Sequence, residues 1–214
     1  MNGATKYKYI LFDFDGTVIN SMPFLENNAV SLLKELGFTT EEAQLKYRET
    51  TGLPFIQQME IIAPERDNRN IVSQFEEMKI NNIYEQDPFP ESEEVLLTLK
   101  KRGYMLGISS GTIEEIIIEY LQKKGLSHLV QDSLGWKPGF EKGKDHFEFI
   151  KLKYELISEE IVFIGDSLND AKRAHTNTIH FIGRTGMFQL KDFQKILPET
   201  TVITSLTEVL DLFP

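Results

Sequence analysis

The chain has no cysteine among its 214 residues. Disulfides, thiolate nucleophiles and Cys-bound zinc are therefore excluded, and the composition fits a reducing compartment. An excess of positive charge is also missing: 23 Lys+Arg stand against 33 Asp+Glu, a formal net charge of −10, with no basic block. Such a surface repels phosphate backbones and anionic lipids, which makes nucleic acid and membrane surfaces poor partners. No window approaches the run of about 18 apolar residues that a spanning helix needs. The opening stretch MNGATKYKYILFDFDG carries no apolar segment leading to a small-residue cleavage site. The expectation is a soluble, cytoplasmic protein, either monomer or homodimer. Low-complexity tracts and fixed-period repeats are absent as well. His128, His146, His175 and His180 show no HExxH-type spacing, so they are assigned structural or surface roles.

Three apolar segments dominate what is present. Residues 7–12, 104–109 and 161–165 are rich in β-branched, aromatic or aliphatic side chains and each runs into a polar or Gly-containing turn, the pattern of strands buried in a parallel sheet. Shorter strands are expected at 178–182 and 202–203. Helical stretches separate them: one closed by Gly103, one opened by a capping-box pattern at Thr112-Ile-Glu-Glu115 and ending near Gly125, and one over about 145–156. Strands alternating with helices require right-handed crossovers, giving an α/β fold with a doubly wound parallel sheet.

The alternation stops between Gly16 and Pro88. Helical patterns fill the gap over 24–36, from the Thr39–Glu42 capping box, over 54–62 and over 68–84. Some 70 residues are far too many for a loop, whose usual length is about 4–6. The reading is a core formed by residues 1–17 and 89–214, with a helical cap formed by 18–88. Ligands of open parallel sheets bind beyond the carboxyl ends of the strands, and an insertion leaving the first strand there would lie over the site.

Four features fall at those strand ends: Asp13-Phe-Asp-Gly-Thr17, Ser109-Ser-Gly-Thr112, Lys142 or Lys144, and Gly165-Asp-Ser-Leu-Asn-Asp170. Asp13 and Asp15, one residue apart, can present both carboxylates near one site, and like charges so close need a cation or proton to relieve them. Asp166 and Asp170 add oxygen ligands of the kind that suit Mg²⁺. An EF-hand is the competing reading of Asp-x-Asp-Gly, but it would need a Glu at the twelfth position, where Phe24 stands. Ser167 followed by Asp170 also reads as a helix start, leaving Asp170 open between helix cap and metal site.

In order and position these motifs resemble the haloacid dehalogenase superfamily, in its phosphatase branch with a helical cap. The resemblance implies a Mg²⁺-dependent phosphatase acting on a small phosphorylated metabolite. It makes Asp13 the nucleophile, Asp15 the general acid and base, and Ser109 a hydrogen-bond donor to the phosphoryl group, helped by Ser110 and Gly111 amides. It implies metal ligation by Asp13, the Asp15 carbonyl, Asp166 and Asp170, and charge neutralisation by a lysine. Lys142, 24 residues before Asp166 and just ahead of a helix, matches best; Lys144 is the runner-up, and Lys137 reads as a turn residue. In the insertion, Arg48 and the 50–54 turn with Gly52 are the candidates for contacting the rest of the substrate. Lys34, Lys46 and Lys79 also lie there, in contexts that do not compel Schiff-base chemistry. Two alternatives remain: a β-phosphoglucomutase-like phosphotransferase and a silent phosphate-binding protein on the same fold.

Overall fold

The computed structural model describes residues 6–214; the first five residues of the expected core lie outside the described residues. In chain order the elements are β1 (Tyr9–Phe12), α1 (Met22–Glu35), α2 (Thr40–Thr50), α3 (Phe55–Ile62), α4 (Arg69–Asn82), α5 (Ser92–Lys101), β2 (Met105–Ile113) and α6 (Glu114–Lys123). They continue with β3 (Asp132–Trp136), α7 (Lys144–Tyr154), β4 (Ile161–Gly165), α8 (Leu168–Thr176), β5 (His180–Arg184), α9 (Leu190–Gln194), β6 (Thr201–Ile203) and α10 (Val209–Leu212). The six strands form one sheet in the order β3-β2-β1-β4-β5-β6, with every neighbouring pair parallel. The chain winds outward from β1 in one direction and then returns to fill the other. β1 is thus the switch point, and its carboxyl end opens the crevice where such sheets hold ligands.

Strand alternation distributes the core. Ile10, Phe12, Leu106, Ile108, Val162 and Ile164 pack on one face with α5 and α6, whereas Tyr9, Leu11, Ile161 and Phe163 pack on the other with α7 and α8. Burial of both faces explains why β1 and β4 read as unbroken apolar runs, each large side chain contributing about 1.5–3 kcal/mol. A third cluster, including Leu25, Leu33, Tyr47, Phe55, Met59 and Phe75, belongs to α1–α4. Phe55 and Phe75 stack with ring centroids 3.8 Å apart. The insertion leaves and re-enters the core through two segments that bond each other: Asn20 N–H donates to Asp87 O at 3.0 Å and Phe89 N–H to Val18 O at 3.0 Å.

Two differences from the sequence reading affect the site. The strand expected to end at Ser109 continues to Ile113, with its register against β3 shifted between Ser109 and Ile113. Thr112 is therefore in a strand and caps nothing. The start of α6 has no side-chain cap. Strand β3, with sequence DSLGW, was not expected, because it offers neither an apolar run nor clean alternation.

Candidate active site

The loop after β1 turns through Gly16, whose φ of +76° is in the left-handed region, and a Cβ there would lie 2.1 Å from Asp166 Oδ2. Only glycine lets the β1 and β4 loops approach so closely. Asp13 and Asp15 consequently both line one cavity, with Ser110, Lys142 and Asp166 on the core side. The helical insertion contributes Tyr47, Gly52, Phe55, Glu76 and Lys79. The cavity measures about 80 Å³, well below the roughly 300–1,000 Å³ of pockets for drug-sized ligands.

Asp13 is buried, and its Oδ1 accepts from Phe14 N–H at 2.7 Å and from Lys142 Nζ at 2.7 Å. Its Oδ2 takes no hydrogen bond from the described residues. Asp15 is held differently. Oδ1 accepts from Ser21 Oγ at 2.7 Å, and Oδ2 accepts from Thr112 Oγ1 at 2.7 Å and Lys79 Nζ at 3.0 Å. The two carboxyls are driven apart in acidity by these surroundings. Burial pushes Asp13 up to about 7 against the pull of Lys142, with Asp170 and Asp15 adding to the rise. Burial also acts upward on Asp15, but Lys79, Ser21 and Thr112 outweigh it and hold that carboxyl below its usual value.

Asp166 and Asp170 complete the acidic centre. One oxygen from each of Asp13, Asp166 and Asp170 lies within 4.8 Å of the others. Asp166 is raised well above the ordinary range by burial and by Asp13, Asp170 and Asp15, against the pull of Lys142. Both Asp170 oxygens are buried without a hydrogen-bond partner; Lys142 Nζ approaches Oδ1 to 2.7 Å as an ion pair without hydrogen-bond alignment. Among the described residues, Asp13, Asp15, Asp166 and Asp170 face Lys142, Lys79 and, 3.5 Å from Asp170 Oδ1, Arg173, which leaves the centre short of positive charge. A hard divalent cation matches both the shortfall and the oxygen donors, so the residues present fit Mg²⁺. The question of cap or ligand at Asp170 resolves by atom: its N–H donates to Ser167 Oγ at 3.1 Å, starting α8, while its carboxylate turns into the acidic centre.

Other expected residues take different places. Lys144 is exposed at the start of α7, and Lys137 is exposed and paired with Glu114. The expectation for Ser109 is corrected by strand geometry. Ile108 belongs to the α5/α6 face, so Ser109 points to the opposite one, where its Oγ lies 2.8 Å from Nδ1 of buried His146. His146 Nε2 donates to Gly135 O at 3.2 Å, and burial depresses the ring to about 3, keeping it neutral. Ser110 and Gly111 line the cavity instead.

Arg48 is also corrected. It follows Tyr47 on α2 by one residue, about 100° around the helix, and this rotation takes it off the cavity. Its guanidinium lies over the Phe188 ring and 3.4 Å from Asp192. Gly52 does line the cavity, with a φ of +89°. A Cβ there would meet Ser167 Oγ at 2.3 Å, and its carbonyl accepts from Arg173 at 2.6 Å, so this turn docks the cap onto α8.

Lys79 and Thr112 were missed as partners of Asp15. Lys79 Nζ also donates to Thr112 Oγ1 at 2.5 Å. A signal for Lys79 existed: with Ile71 and Phe75 it forms the buried stripe of α4, a lysine where helical periodicity calls for an apolar residue.

A parallel α/β sheet with a buried carboxylate centre at its carboxyl edge, lined on its other side by the inserted helices, is the arrangement of an α/β enzyme. The chain belongs to the haloacid dehalogenase-like hydrolase family, whose model matches residues 10–184. It is 26% identical over 195 residues to a phosphoglycolate phosphatase from Haemophilus influenzae, covering 85% of this chain and 87% of that one. To a phosphoserine phosphatase from Methanocaldococcus jannaschii it is 27% identical over 182 residues, covering 77% and 80%. A haloacid dehalogenase-like hydrolase from Streptococcus pneumoniae shares the fold with a TM-score of 0.82 at 23% identity, over 98% of this chain and 99% of that structure. Among the described residues, no helix is long and apolar enough to cross a membrane.

Proposed function

We propose that the protein is a cytoplasmic phosphomonoesterase that hydrolyses a small phosphorylated metabolite through an aspartyl-phosphate on Asp13. The observation that carries this reading is the asymmetry of Asp13. Two donors fix Oδ1, and Oδ2 takes no hydrogen bond from the described residues, which leaves this cavity-lining carboxylate an oxygen free to attack phosphorus. Lys142 holds the nucleophile in place and offsets charge on the phosphoryl oxygens. Ser110 and Gly111 line the same cavity and are the groups to receive those oxygens.

Attack by Asp13 Oδ2 forms the O–P bond as the P–O bond to the leaving alcohol breaks, with Asp15 delivering the proton that alcohol needs. A water then attacks phosphorus, giving its proton to Asp15, and the Asp13–phosphate bond breaks to release inorganic phosphate. The ties from Lys79 and Thr112 favour the ionised, base form of Asp15, so its acid form requires the arriving leaving group to loosen them. Mg²⁺ held by Asp13, Asp166 and Asp170 would neutralise the carboxylates and draw in the phosphate. The 18–88 insertion acts as the cap that keeps bulk water from this chemistry.

The test is phosphate release from a panel of phosphate esters with Mg²⁺ present. Asp13→Asn, which is nearly isosteric, should lose activity by about 10⁴-fold or more while keeping its circular dichroism. Full activity in that variant would sink the reading. Release of inorganic phosphate from a hexose 1-phosphate, without formation of the 6-phosphate isomer, separates hydrolysis from phosphotransfer.

A further inference from the structure

Most polar side chains on the cavity wall already have a partner among the described residues. Lys142 is taken by Asp13 and Asp170, and Lys79 by Asp15 and Thr112. Gln58 donates to Leu53 O at 2.9 Å and accepts from Thr50 Oγ1 at 3.1 Å. Glu76 is different. It is half-buried on α4, three residues before Lys79, and it lines the same cavity as Asp13 and Asp15. Among the described residues its carboxylate makes neither a hydrogen bond nor an ion pair.

A half-buried carboxylate without a partner is costly, and the cost falls when a ligand supplies a cation or a donor. Burial pushes the Glu76 carboxyl upward, against the pull of Lys79 and with Asp15 adding, in keeping with a group that lacks a close counter-charge. Among the described residues, the inserted helices put no uncommitted cation on this wall. A leaving group ending in a carboxylate would meet Glu76 and find Lys79 engaged. The cavity is small, about 80 Å³, which favours a short leaving group.

We infer that Glu76 is a specificity-determining residue that selects a short phosphate monoester whose leaving group ends in an ammonium group. The inference rests on the phosphatase reading above and names the substrate class for the same site. The phosphate enters against Asp13, Lys142 and Ser110, and the ammonium end pairs with Glu76 in the cap.

Three two-carbon esters that differ only at the far end test it with the Mg²⁺-loaded full chain: O-phosphoethanolamine, ethylene glycol monophosphate and 2-phosphoglycolate. The expected order of kcat/KM is ammonium, hydroxyl, carboxylate, with O-phosphoethanolamine at least about tenfold above 2-phosphoglycolate, the magnitude of one charge-assisted hydrogen bond. Glu76→Gln should shrink that ratio about tenfold by raising KM for the ammonium ester, and Glu76→Asp should keep the order. A wild-type preference for ethylene glycol monophosphate, or a ratio unchanged in Glu76→Gln, overturns the inference. So does a preference for 2-phosphoglycolate. p-Nitrophenyl phosphate separates the two levels of failure. Its hydrolysis alongside the wrong order rejects only the ammonium assignment, whereas no hydrolysis of any ester rejects the phosphatase reading and this inference together.

Discussion

Asp13 and Asp15 are the same residue type two positions apart, and the structure makes them chemically opposite. Asp13 is enclosed among carboxylates with one lysine, and Asp15 is held by two hydroxyls and another lysine. The spacing Asp-x-Asp showed that they share a site, but the identity of their partners depends on side chains 64 and 97 residues further on. Lys79 gives the sharpest residue-scale prediction. In Lys79→Met, Asp15 loses its strongest downward influence and its carboxyl titrates at higher pH than in the wild type. The ionised base then prevails only at higher pH, so the Asp15-dependent acidic limb of the pH–rate profile should move upward. An unchanged limb would show that Lys79 does not set the acidity of Asp15.

At the scale of elements, helical and strand periods decided what could be read. β1 and β4 are buried on both faces and announced themselves as apolar runs, and α4 shows a stripe in which Lys79 is the odd member. β3 and the far half of β2 were illegible because their residues pair through the backbone while carrying Ser, Gly, Thr and Asp. Placement of Ser109 and Ser110 followed from the same cause. Without the extent of β2, no register assigns one serine to His146 and its neighbour to the cavity. The 50–54 turn supplies a prediction at this scale. Gly52→Ala puts a Cβ into a left-handed backbone and against Ser167, costing about 1–2 kcal/mol for the conformation alone. The expected fall in melting temperature is about 2–8 °C, accompanied by weaker docking of the cap onto α8 and a raised KM. A variant as stable and as active as the wild type would remove this turn from the cap's docking surface.

For the whole molecule, the surplus of ten acids and the four-carboxylate centre act in the same direction. A carboxyl whose pKa is higher folded than unfolded destabilises the fold as pH rises from the unfolded value of about 4 through the folded one. Burial raises Asp13 to about 7 and Asp166 upward as well. Chelator-treated protein should therefore lose melting temperature between about pH 5 and pH 8, and the gain on adding Mg²⁺ should be larger at the upper pH. Equal gains at both would mean that the cation does not relieve the carboxylate cluster. The sequence by itself determined the class of fold, the strands that carry Asp13 and Asp166, the long helical insertion and the acidic character of the centre. These are local properties: hydrophobic period, turn residues and charge spaced along a short stretch. Tertiary structure alone decided that Ser110 lines the cavity and Ser109 does not, that Arg48 faces α9, that Lys79 reaches Asp15, and that Glu76 is left unpaired. Each of those outcomes depends on the direction in which a side chain leaves its element once distant elements have packed, and no single stretch of sequence contains that direction.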